Sequence, residues 1–169
     1  MRSLYLTGFM GAGKTCVGEI LAGRLNFAFI DTDDLVVAKA GMAIPQIFAT
    51  KGEAAFRDLE RQICLSMPEG AVVALGGGAF MDPAIRRDIG RRGISVFLDW
   101  PFEVLLARIG NDPERPLSAA GPALKERFQA RYPIYCKADV VWRSQSPHAE
   151  TAAEVAEAVL GALPGQALG

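Results

Sequence analysis

Five short apolar runs punctuate the chain: Leu4-Tyr5-Leu6, Phe27-Ala28-Phe29-Ile30, Ala71-Val72-Val73-Ala74-Leu75, Ile94-Ser95-Val96-Phe97-Leu98 and Val140-Val141-Trp142. They are nearly continuous rather than alternating, the pattern of strands buried on both faces. Between them the apolar period lengthens to that of a helix. Val17, Ile20, Leu21 and Leu25 share one helical face, Phe56, Leu59 and Ile63 a second, and Ala152, Val155, Val159 and Leu163 a third. Strands alternating with helices predict an α/β chain whose parallel sheet carries helices on both faces. Ligands in such sheets sit at the carboxyl ends of the strands, so chemistry is sought in the loops there.

Two stretches break the alternation. Residues 35–66 hold two helical patterns between the second and third strands, more than one crossover needs. The segment from Asn111 to Pro122 is rich in Pro, Gly and small residues and reads as a mobile flap. The tail from Pro164 to Gly169 reads as unstructured, and no internal repeat is visible. The opening ten residues could pass for a secretion signal. Their apolar stretch is short, holds Thr7 and Gly8, and runs into Gly13-Lys14-Thr15, so it reads as the first strand. No stretch is long enough for a membrane span. With 169 residues, the chain is expected to form a single domain, 1–169.

Composition excludes more than it suggests. Lys and Arg number 18 against 19 Asp and Glu, so no basic excess recommends nucleic acid or an anionic membrane as partner. Cys16, Cys64 and Cys136, with one histidine, have no metal-ligand spacing and fit a reducing, cytoplasmic setting. Arg86, Arg87, Arg91 and Arg92 read as a solvated helix face.

The chemistry begins at Gly8-Phe9-Met10-Gly11-Ala12-Gly13-Lys14-Thr15, which follows a strand and opens a helix. This is the P-loop pattern in its required context. Its glycines let backbone N–H groups turn inward at phosphate oxygens, and the helix N-terminus adds positive potential. Lys14 reaches the β- and γ-phosphates and the Thr15 hydroxyl can ligate Mg²⁺. No Asn-Lys-x-Asp signature is present, which argues against a GTPase switch. Cys16, in the first helical turn beside Lys14, is expected either to be a reactive thiol at the phosphate site or to pack inertly against the strand.

On the acceptor side, Ile30-Asp31-Thr32-Asp33 closes the second strand. Two carboxylates at i and i+2 of an extended segment project to the same side, beside the P-loop. The plainer alternative is a helix cap at Asp33-Asp34. Gly76-Gly77-Gly78 follows the third strand and suits close backbone approach to a ligand. Arg57 and Glu60 stand at i, i+3, a spacing that fits a surface ion pair equally well.

The chain resembles the shikimate kinases through most of its length. The resemblance rests on the P-loop, Asp31-Thr32-Asp33, Ile47-Phe48, Gly52-Glu53, Phe56-Arg57 with Glu60, Gly76-Gly77-Gly78, Arg108, Arg115-Pro116-Leu117 and Arg131-Tyr132-Pro133-Ile134-Tyr135. It implies a P-loop kinase fold with strand order 2-3-1-4-5, an acceptor-binding region at about 33–66 and a lid at about 111–124. It implies ATP-dependent phosphorylation of shikimate by a monomer, toward chorismate and the aromatic amino acids. By position, Asp33 binds acceptor hydroxyls and acts as base, and Arg57 and Arg131 hold the shikimate carboxylate. Gly77 and Gly78 contribute backbone contacts. Gly11, Ala12, Gly13, Lys14, Thr15 and Cys16 surround the phosphates, with Arg108 and Gln145 near adenine. Arg115 is the lid arginine over the transferring group, and Asp31 holds Mg²⁺ through water alongside Thr15.

The sequence departs from the family at Cys16, usually Ser or Thr, at Glu19, often Arg, and at Val37, commonly Glu. The lid and the Tyr135–Asp139 turn are short. These touch nucleotide affinity and lid motion more than acceptor identity. The alternatives are a kinase for another hydroxylated acid such as gluconate, or an ATP-binding sensor without turnover.

Overall fold

Every apolar run becomes a strand in the computed structural model, which describes residues 2–110, 121–144 and 150–165. Strands β1 (Ser3–Thr7), β2 (Ala28–Asp31), β3 (Ala71–Ala74), β4 (Gly93–Asp99) and β5 (Val140–Arg143) pair in parallel, in the order β2-β3-β1-β4-β5. This is the order the resemblance implied. The described helices are α1 (Lys14–Leu25), α2 (Thr32–Ala40), α3 (Ile44–Leu65), α4 (Pro83–Arg92), α5 (Phe102–Gly110), α6 (Gly121–Tyr135) and α7 (Ala152–Ala162). None is long and apolar enough to cross a membrane.

β1 is the buried centre of the sheet, with Leu4, Tyr5 and Leu6 inaccessible to solvent. Alternation sends its side chains to opposite faces. Leu6 meets α1, where Gly18 leaves room for it and for Phe29. Tyr5 points the other way, toward Cys64 of α3 and Arg92 of α4. α7 packs against α1, with Val155, Ala156 and Val159 buried.

The junction after β2 differs from the sequence reading. The strand ends at Asp31 and α2 begins at Thr32, so Asp33 stands in a helical first turn rather than an extended segment. The cap is Asp31, whose Oδ1 accepts the Asp33 N–H at 3.0 Å. A helix leaves its first N–H groups without intrahelical partners, and a carboxylate one residue ahead supplies one.

The basic cluster on α4 also differs. Arg92 donates to the carbonyls of Cys64, Leu65 and Met67, tying down the end of α3. Arg86 donates to Phe80 O at 2.6 Å and Met81 O at 2.8 Å. Two of the four arginines therefore serve as clamps. The expected lid at 111–124 lies outside the described residues except for 121–124, which form the first turn of α6.

α3 is bent at Gly52, whose φ of 81° and ψ of 170° lie outside the helical region. Phe48 and Phe56 bracket the bend, with ring centroids 4.6 Å apart. A Cβ at Gly52 would meet no atom within 4 Å, so the demand there is one of backbone alone. Gly52→Ala is expected to cost about 1–3 kcal/mol. Urea unfolding should show a lower midpoint with an unchanged slope.

Candidate functional site

The carboxyl edge of the sheet carries two clusters that meet at the centre. In the first, the loop from Gly8 to Gly13 joins β1 to α1 and uses positive φ at Gly8, Gly11 and Gly13. Lys14 Nζ lies back over this loop, 3.1 Å from Gly8 O and 3.3 Å from Phe9 O. The loop is held from behind: Trp100 Nε1 donates to Ala12 O at 3.0 Å and Arg108 Nη1 to Gly11 O at 3.2 Å. Thr15 Oγ1 donates to Asp31 Oδ2 at 2.9 Å. Asp31 thus divides its two oxygens between the P-loop helix and the cap of α2. Cys16 is exposed in the first turn of α1.

The second cluster is built on Gly76-Gly77-Gly78. Gly76 N donates to the buried Thr32 Oγ1 at 2.8 Å, joining this loop to the start of α2. Each glycine then faces one of the predicted acceptor residues. A Cβ on Gly76 would collide with the Asp33 carboxylate, whose Cγ would lie 3.3 Å away, and would lie 3.0 Å from Glu60 Oε1. A Cβ on Gly78 would overlap the Arg57 guanidinium, with Nη2 at 2.7 Å. Arg131 Nη1 donates to Gly77 O at 3.0 Å. Asp33, Arg57 and Arg131, distant in sequence, therefore converge on one glycine wall. Beside it opens a cleft of about 630 Å³, lined by Glu53, Arg57, Glu60, Arg61, Gly78 and Arg131 among others.

Glu60 changes how Arg57 is read. Its Oε2 accepts Arg57 Nη1 at 2.6 Å, and Glu60 is only 3% exposed, so this is no surface pair. Burial pushes its carboxyl above the ordinary range, and the nearby Asp33 adds to the rise, while Arg57 opposes it. Arg57 also faces Glu53 and lies over the Phe56 ring. Tyr135 is fully buried, stacked on Phe97, and its hydroxyl donates to the same Gly77 carbonyl as Arg131. Its burial raises the phenol to about 12, so it remains a donor at neutral pH.

The profile of the shikimate kinase family matches residues 10–163. The chain belongs to this family. The shikimate kinase of Aquifex aeolicus is 41% identical over 169 residues, covering 98% of each chain. The structure of a shikimate kinase from Acinetobacter baumannii in complex with shikimate superposes with a TM-score of 0.85 at 34% identity, covering 95% of this chain and 91% of that one. A gluconokinase from Sinorhizobium meliloti matches at a TM-score of 0.57 and 18% identity over 98% of this chain and 93% of its own, which shows a shared fold alone.

Of the residues that shikimate kinase resemblance singles out, Arg115, Pro116, Leu117 and Gln145 lie outside the described residues. The other residues to which it assigns a site role fall into the two clusters above. Sequence reasoning passed over Thr32, Trp100 and the bond from Tyr135, and left Glu60 open as a surface partner. Only the i, i+3 spacing pointed to Glu60, and spacing does not report burial.

The Gly78 contact is directly testable. Arg57 is a flexible side chain, so Gly78→Ala should displace its guanidinium more readily than it strains the backbone. The expected result is a shikimate KM raised about 10-fold or more, as loss of a charge-assisted contact implies, with the KM for ATP little changed. Steady-state kinetics in both substrates checks this, and an unaltered shikimate KM counts against the placement of Arg57.

Proposed function

We propose that the chain transfers the γ-phosphoryl group of ATP to the 3-hydroxyl of shikimate, giving shikimate 3-phosphate and ADP on the route to chorismate. The observation that carries this reading is the glycine wall, where the Asp33 carboxylate and two guanidinium groups meet beside a P-loop. Guanidinium groups grip a carboxylate through paired N–H donors. A carboxylate beside them suits an acceptor hydroxyl. The acceptor is therefore a hydroxylated acid, and family membership supports shikimate in particular.

Mg²⁺ suits the donor set. Thr15 and Asp31 offer hard oxygens 2.9 Å apart, with Asp31 Oδ2 not occupied by the helix cap. No cluster of three or more His, Cys, Asp or Glu able to hold a metal exists among the described residues. That fits an ion that keeps most of its waters and shares phosphate oxygens with few protein ligands. When bound, the metal would neutralise charge on the β- and γ-phosphates.

Phosphoryl transfer passes through a loose transition state, so placing the groups matters more than a strong base. Arg57 and Arg131 fix the acceptor by its carboxylate, and the Gly77 and Gly78 backbone lines its path. Asp33 orients the hydroxyl and takes its proton late. Lys14 exchanges the Gly8 and Phe9 carbonyls for phosphate oxygens, and Arg115, from the lid, offsets the charge that develops there. The acceptor region at 33–66 and the lid at 111–124 belong to one domain, which acts as a cytoplasmic monomer.

Asp33→Asn keeps shape but removes the proton acceptor. kcat should fall about 10²–10⁴-fold, measured by coupled ADP release, while the KM for ATP holds. Activity within a few-fold of wild type would assign Asp33 a purely structural role.

Arg131→Lys keeps the charge and loses the planar fork. The shikimate KM should rise roughly 10–150-fold, the equivalent of about 1.5–3 kcal/mol. Replacing the shikimate carboxylate by an amide should impair the wild type similarly and the mutant much less, the non-additivity of one shared contact. If the amide reacts as well as the acid, the carboxylate assignment fails.

A further inference from the structure

Trp100 follows β4 directly and is 2% exposed, yet its polar and aromatic parts are both committed to the nucleotide side. Its N–H holds Ala12 O of the P-loop at 3.0 Å. Its ring lies beneath Arg108, with the guanidinium carbon 3.8 Å from the ring centroid. Trp142 of β5 buttresses it edge-on, the centroids 5.1 Å apart. Arg108 itself bonds the neighbouring carbonyl, Gly11 O. Burial lowers the guanidinium's pKa, but it stays charged across the working range.

These contacts have two geometric consequences. A trans peptide is planar, so its C=O and N–H point in opposite directions. Drawing the Ala12 carbonyl toward Trp100 therefore aims the Gly13 N–H away from Trp100, on the concave side where a P-loop receives phosphate. The second consequence concerns Arg108. Held over the indole and bonded to Gly11 O, its guanidinium is fixed against the P-loop.

We propose that Trp100 is a nucleotide-positioning residue, which aims the P-loop through Ala12 and holds Arg108 in place against Gly11. This rests on the nucleotide reading given above and adds a residue and two separable routes to it. Trp100→Phe removes the N–H and keeps a ring beneath Arg108. Trp100→Leu removes both.

The experiment measures ADP binding by calorimetry, together with Tm, shikimate KM and kcat at saturating ATP. Trp100→Phe should weaken ADP about 3–10-fold, the share of one hydrogen bond. Trp100→Leu should weaken it a further 3–30-fold, the range of a partly desolvated cation–π contact. Both should leave the shikimate KM within about twofold of wild type. In an Arg108→Leu background the extra loss from phenylalanine to leucine should vanish, while the loss from tryptophan to phenylalanine persists. Should the leucine variant fail to fold, Trp100→Phe tests the Ala12 route by itself. Variants that bind ADP like the wild type overturn the inference, as do variants whose shikimate KM rises in step with the loss of ADP affinity. A wild type that binds no ADP overturns the underlying nucleotide reading, a distinct result.

Discussion

The space left by two absent Cβ atoms, at Gly76 and Gly78, governs the acceptor half of this protein. Asp33 occupies the void at Gly76, Arg57 the void at Gly78, and Arg131 bonds the carbonyl between them. Any side chain at the first or last of these positions would push a charged group out of the cleft. The surrounding contacts serve to keep the wall in place. Thr32 holds its start through the Gly76 N–H, and Tyr135 and Arg131 converge on the Gly77 oxygen. A carbonyl has two lone pairs, so one oxygen accommodates both donors.

Charge is balanced locally at this wall. Arg57 lies against a buried carboxylate, and that carboxylate resists ionisation because of its burial and its nearness to Asp33. Removing one partner of such a pair leaves the other uncompensated in a poorly solvated place. Glu60 thereby fixes the direction of the guanidinium before any acceptor arrives. An incoming carboxylate meets a donor already ordered, and the entropy of ordering it is not charged to binding.

Much of this was legible in the chain. The strands announced themselves by continuous apolar runs, and the P-loop by glycines placed between strand and helix. The start of α2 was harder, since an acidic residue that caps a helix and one that ends a strand look alike in sequence. Only the Asp33 N–H finding Asp31 Oδ1 distinguishes them. Glu60 was obscured because a three-residue spacing says which helix face two residues share, not whether that face is covered. Arg92 misled in the opposite sense, since its guanidinium reaches carbonyls at the end of α3 from well along α4. Trp100 carried no motif. Its ties to Ala12 and Arg108 span loop and helix, and such contacts exist only once the sheet has formed.

Asp31 touches both halves of the site with one planar group: Oδ1 begins the acceptor-side helix and Oδ2 meets the hydroxyl of the P-loop helix. Few side chains could inherit that double duty. Asparagine offers one acceptor oxygen and would turn an amide toward one of the two donors. Serine has the reach of a cap but a single oxygen, and glutamate sets its carboxylate one methylene too far for the cap. Position 31 therefore has almost no neighbouring amino acid to drift into. The strand may change its apolar residues around it, but this carboxylate sits at a dead end in sequence space.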